Sequence, residues 1–159
     1  MKLVLLSTNN LPMSYVKQFV RGNNIQPGDA IIARKTGLLT HYAIYLGWED
    51  LGWGNGGHVF AINMMHKGVV IVPEDELFKM MKTYQPTRIR RLNLGVRNRD
   101  FAVKRALSLV GTPYNLLTYN CEHFANDVQG YPVHSQQVQL GALGFLVFGL
   151  TLAFSAGRK

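Results

Sequence analysis

Cysteine is the scarcest informative residue in this sequence: 159 residues contain one, Cys121. A lone cysteine closes no intramolecular disulfide and cannot by itself build a cysteine-rich zinc site. That sets aside the disulfide-stapled secreted scaffolds and is compatible with a reducing compartment. No histidine pair has the helical spacing of metal ligands, so neither a metal nor another cofactor is expected. Acidic residues are also few, nine against seventeen Lys and Arg, for a formal net charge of +8. Such a balance suits acidic partners, either nucleic acid or an anionic membrane surface. No stacking or docking motif accompanies the charge, so specific nucleic-acid binding is not expected. Internal repeats and low-complexity segments are missing as well. The apolar run at residues 1–6 is cut off by Ser7, Thr8, Asn9 and Asn10, too early for a signal-peptide core, and reads as a short strand or arm.

The length fits about one domain. Met13, Val16, Phe19 and Val20 have helical spacing, with Asn10 as a cap and Gly22-Asn23-Asn24 as a stop. Pro27-Gly28-Asp29 is a turn leading into a buried strand at 30–33. Residues 39–48 (LTHYAIYLGW) form the strongest strand pattern. Alternation puts His41, Ala43 and Tyr45 on one face and Tyr42, Ile44 and Leu46 on the other. Residues 58–65 and 69–72 flank His66-Lys67-Gly68 as a hairpin, and Pro73 opens a helix with Glu74, Asp75 and Glu76 in its first turn. A basic strand follows at 87–94, carrying Arg88, Arg90 and Arg91; with Arg97, Arg99, Lys104 and Arg105 it predicts a positive surface. Asn98 caps a helix over 99–110 that Gly111 stops, and a second helix runs from Cys121 to about Gln129. Helix, antiparallel strands, helix, helix is an α+β order, an antiparallel sheet packed on helices. The organisation predicted is an N-terminal arm and helix at 1–24, a catalytic domain at 25–130, a linker at 131–139 and a hydrophobic tail at 140–159.

Asn120 is a good N-cap, so Cys121 falls in a first helical turn, where unpaired amides and the helix dipole favour a thiolate. His123 stands two positions on, a spacing that points away from Cys121, and is a poor base. Cys121, Phe124, Ala125 and Val128 share one apolar face that must meet the sheet, whereas Glu122, His123, Asn126 and Asp127 do not. The sheet then has to supply a base, and His41 on the central strand is the best placed; His58, His66 and His134 sit at turn or loop edges and read as surface residues. Spacing and composition leave two readings open here: a nucleophile with its base, or a small inert core cysteine with a strand histidine.

His41-Tyr42-Ala43-Ile44-Tyr45-Leu46-Gly47, followed about eighty residues on by Asn120-Cys121-Glu122-His123-Phe124, resembles the lecithin:retinol acyltransferase family, which includes the H-Ras-like suppressor phospholipases and acyltransferases. The resemblance covers roughly residues 26–128. It implies a permuted papain-like fold of the NlpC-type superfamily, with Cys121 as nucleophile, His41 as general base and a thioester on Cys121. The implied reaction takes a fatty acyl group from a glycerophospholipid and passes it to water or an acceptor. Members usually carry a second histidine on the next strand to orient the first. Here that strand reads His58-Val59-Phe60-Ala61-Ile62-Asn63, and Asn63 is the candidate orienting amide, the role an amide plays in papain-like enzymes. Tyr45 is a further candidate neighbour of His41, alongside its plain role as a packed strand aromatic.

Residues 140–156 (LGALGFLVFGLTLAFSA) carry no charge and are followed by Arg158-Lys159. A run of this kind, at the short limit for a bilayer span, predicts a C-terminal apolar helix holding the chain at a membrane, with the catalytic domain facing a reducing, cytoplasmic compartment. Phospholipid or another acyl donor is then the expected partner, and the basic surface would add attraction to anionic headgroups. Two other classes remain: an NlpC-type cysteine amidase or peptidase, and a catalytically weakened membrane or host-interaction protein.

Overall fold

The computed structural model describes residues 12–34, 40–49, 56–135 and 138–139. Its elements run α1 (Pro12–Gly22), β1 (Ala30–Arg34), β2 (Thr40–Glu49), β3 (Gly57–Met64), β4 (Gly68–Pro73), α2 (Glu74–Thr83), β5 (Gln85–Arg90), α3 (Arg99–Ser108) and α4 (Cys121–Gln129). The strands form a five-stranded antiparallel sheet in the order β4-β3-β2-β1-β5, with β2 at its centre. This α+β architecture is compatible with the expected papain-like fold. The apolar tail, the arm at 1–11 and the Asn10 cap lie outside the described residues. No helix among the described residues is long and apolar enough to cross a membrane.

Helices cover both faces of the sheet, and period-two alternation deals the strand residues to two cores. On one face Tyr15, Val16 and Phe19 of α1 and Leu77, Phe78 and Met81 of α2 pack on Ile31, Ala43, Tyr45, Phe60 and Ile62. On the other, Ala102 and Ala106 of α3 and Cys121, Phe124, Ala125 and Val128 of α4 pack on Ala30, Ile32, Tyr42, Ile44 and Ala61. Small residues on α3 let that helix come close to the sheet. β2 runs through Gly47. Gly47 takes a φ of 130° at a register shift between Tyr45 and Gly47, and the strand continues to Glu49.

The turn before β1 is a structural clasp. Asp29 is fully buried, and its carboxylate accepts from Arg91 at 2.8 Å, Arg99 at 3.1 Å and the backbone amides of Gln26 and Leu92. Gly28 has a φ of 86°, and a Cβ there would lie 3.0 Å from Leu92 and 3.1 Å from Ala102. One carboxylate thus fastens the α1–β1 turn, the end of β5 and the start of α3.

The predicted positive surface is largely committed to internal bonds. Arg90 donates to Gln129 and Asn126, Arg91 to Asp29 and the Asn23 and Asn24 carbonyls, and Arg97 to the Asp127 and Val128 carbonyls. Arg105 forms two bonds with the Asp127 carboxylate. The stretch expected as a linker also packs on the domain: Ser135 is buried and bonds Glu122, while the His134 carbonyl accepts from Asn126.

Candidate active site

Asn120 and His123 together set the start of α4. Asn120 is extended, and its side-chain oxygen accepts from the Glu122 amide at 2.9 Å and the His123 amide at 3.1 Å. The His123 Nδ1 returns the bond by accepting from the Asn120 amide at 3.2 Å, a capping box with histidine in place of the usual Glu or Gln. His123 is therefore occupied as a cap, its Nδ1 accepting, and burial lowers its pKa, which favours the neutral ring the cap requires. Gly130 in the left-handed conformation, φ 77°, closes the far end of α4.

Cys121 is the first residue of this capped helix, buried, with its thiol donating to the Thr40 carbonyl at 3.4 Å. Burial pushes the thiol up to about 11, against the pull of the Tyr42 backbone amide, and the neighbouring Glu122 carboxylate adds to the rise. The Cys121 and Glu122 amides also favour the thiolate without offsetting desolvation. At neutral pH the sulfur is a thiol, placed at a helix start whose amides favour negative charge.

His41 projects from the other face of β2. Its half-buried ring lies against Tyr84, ring centroids 4.3 Å apart, at an apolar cleft lined by Ile31, Ala33, Ala43, Leu77 and Met80. Burial lowers its pKa, so the imidazole is neutral above the usual histidine range. No hydrogen bond joins Cys121 to His41 among the described residues. The small residue beside His41, Ala43, packs with α1 and α2, not with the cysteine helix.

Asn63 belongs to the cysteine side. Its amide donates to the Tyr119 carbonyl at 2.8 Å, just ahead of the Asn120 cap, and its buried Oδ1 has no partner among the described residues. The antiparallel register Ala43↔Ile62, carried one step further, stands Asn63 opposite Tyr42, not His41. Asn63 thus braces the loop that carries Cys121 and makes no hydrogen bond with His41 among the described residues.

Two buried polar groups escape sequence reasoning. Glu122, next to Cys121, accepts from Tyr42 at 3.3 Å and Ser135 at 2.6 Å, while Arg90 lies over the Tyr42 and Tyr131 rings. Residues 131–135 cover the polar side of α4, so Glu122, His123 and Asn126 are buried despite facing away from the sheet. His58, expected at the surface, is buried in the α1/α2 core; it bonds the Tyr45 hydroxyl at 2.7 Å, and its amide donates to the buried Glu74 carboxylate. Alternation with Phe60 and Ile62 is the signal that puts His58 inside.

A buried thiol at the first turn of a helix laid on an antiparallel sheet is compatible with the papain-like class of thiol domain. The family model for lecithin retinol acyltransferase matches residues 23–131, more than half of the chain, and the chain belongs to that family. The family is one of thiol-dependent acyltransferases and hydrolases. No curated protein and no solved structure matches the chain.

Proposed function

We propose that this chain is a thiol-dependent acyltransferase or phospholipase A that moves a fatty acyl group from a glycerophospholipid to water or an acceptor. The observation that supports it is Cys121 as the first residue of a capped helix, where the unpaired amides of the first turn favour negative charge on the sulfur. The Cys121 sulfur attacks the ester carbonyl, the lysophospholipid oxygen leaves with a proton, and a thioester remains. Water or an acceptor hydroxyl or amine then attacks the thioester, and the sulfur regains a proton. Helix-start amides stabilise the oxyanion in both halves. His41 is the proposed proton carrier, which requires the start of β2 to turn so that the imidazole meets the sulfur. Membrane association through residues 140–159, in a reducing compartment, belongs to the same proposal.

One observation favours a second reading, a family member with weakened catalysis: Cys121 and His41 occupy opposite faces of β2. Incubation with acyl-labelled phosphatidylcholine followed by intact-mass analysis separates the two. An acyl adduct on the wild type that is lost in Cys121→Ser, together with slowed turnover in His41→Ala, supports the enzyme. Absence of both adduct and fatty-acid release supports the weakened reading.

A further inference from the structure

Between Arg105 and Glu122 the sequence has no charged residue, yet much of that stretch lies on the surface. Leu107 is 43% exposed, Val110 44%, Leu116 54% and Leu117 66%. Single exposed leucines are ordinary; a contiguous uncharged segment carrying several, immediately before the nucleophile position, calls for an explanation.

The turn holding the two leucines is built rigidly. Asn115 and Tyr119 exchange backbone bonds of 3.1 and 2.9 Å, and the Asn115 side chain accepts from the Leu117 and Thr118 amides at 3.0 Å each. The Leu116 carbonyl accepts from Asn120 and the Tyr119 carbonyl from Asn63. The amides of Asn115, Leu117, Thr118 and Tyr119 and the carbonyls of Asn115, Leu116 and Tyr119 thus have protein partners. Backbone groups bonded in this way enter an environment poor in water at little cost, whereas open ones would each be penalised.

Its surroundings narrow the partner. The β3–β4 turn is tied to it by the bonds Val69 N–H to Thr112 O and Gly111 N–H to Val69 O, both 2.9 Å, and adds exposed Met65. Exposed Lys104 stands one helical turn before Leu107 on α3, and exposed Lys67 on the β3–β4 turn is only loosely paired, 3.9 Å from a half-exposed Glu76. Apolar tips on an uncharged segment with lysines beside it suit a fluid anionic interface.

We propose that the turn at residues 112–118 is an interfacial insertion element, with Leu116 and Leu117 entering the headgroup–acyl boundary of an anionic phospholipid bilayer. This deepens the lipid reading above by naming the contact that brings the Cys121 region to its substrate. It differs from the tail in that it also orients the domain.

The test uses the full chain and vesicles of phosphatidylcholine with phosphatidylserine. Leu117→Trp should show a blue-shifted emission on vesicle addition and quenching by lipids brominated high in the acyl chain, beyond that of the native Trp48 and Trp53 in the wild type. Leu116→Asp/Leu117→Asp should bind vesicles at least roughly tenfold more weakly, and more so when phosphatidylserine is present. If the Leu117→Trp variant still co-floats with vesicles but its added emission is unshifted and unquenched, the proposal is overturned. So it is by a Leu116/Leu117 pair covered by a second copy of the chain in sedimentation experiments. Wild-type turnover separates lipid insertion from acyl transfer: shifted and quenched emission in Leu117→Trp, with neither acyl adduct nor fatty-acid release from the wild type, removes the enzyme reading alone, and Cys121→Ser should lose turnover while keeping vesicle binding.

Discussion

The Cys121 thiol donates to the carbonyl of Thr40, 3.4 Å away, in the residue immediately before His41. The strand that carries the proposed base therefore holds the sulfur by its backbone while its imidazole points to the opposite core. This bond requires a protonated sulfur. In this arrangement the burial of Cys121 and its bond to Thr40 both oppose thiolate formation.

Alkylation reports on that arrangement. With the Cys121 thiol pushed up to about 11, iodoacetamide should modify it slowly at neutral pH, with the rate rising roughly tenfold per pH unit into the alkaline range. Intact mass against time gives the rate. A rate that levels off by about pH 8 would contradict a thiol governed by burial.

Asn63 separates bracing from orienting. Asn63→Ala removes the bond to the Tyr119 carbonyl and should lower stability by about 1–2 kcal/mol in urea melts. If Asn63 acts only through the Cys121 loop, turnover falls without displacement of its pH profile. A shifted acid limb would show instead that Asn63 acts on the His41 imidazole.

Asp29 should dominate stability far from the sulfur. Asp29→Asn keeps the shape but leaves Arg91 and Arg99 facing a neutral amide in a fully buried position. Breaking a buried pair of this kind costs about 3–5 kcal/mol. A chemical-denaturation midpoint within error of the wild type would rule out the clasp.

Acid should destabilise the fold through its histidines. Burial lowers the pKa of His41, His58 and His123 below the ordinary histidine value of 6.5, so the folded state binds protons more weakly than the unfolded chain. Their contribution is fully present above pH 6.5 and is lost as pH falls from there towards the folded-state values. For His58 the Glu74 carboxylate opposes the shift, whereas Arg21 and Lys17 reinforce it. Thermal melts across this range should show the decline. His123→Gln, which preserves a capping box, should keep neutral-pH stability and flatten part of the acid limb. An unchanged acid limb would remove His123 from the account.

The two-faced strand, the capped cysteine helix and the Asp29 turn can all be read in the sequence, because alternation, caps and turn residues are local signals. Ala43 and Ile44 divide between the two cores as period two demands, and Asn98 and Asn120 both cap where expected. Partner choice across the sheet is not local. Alternation assigns His41 to a face but does not say which helices cover it; α2, joined to β4 directly and followed by β5, takes that side. The basic strand likewise shows its charges but not Asp29 or Asp127, which lie far along the chain and absorb them. Polar residues of α4 look exposed until residues 131–135 return over them.

That return path has a consequence for where the domain can be cut. A fragment ending at Tyr131, where the family match stops, would strip the Ser135 hydroxyl from the buried Glu122 carboxylate and the His134 carbonyl from Asn126. Both lie on the helix that begins with Cys121. Truncations short of Ser135 should therefore damage the cysteine helix before they touch the sheet.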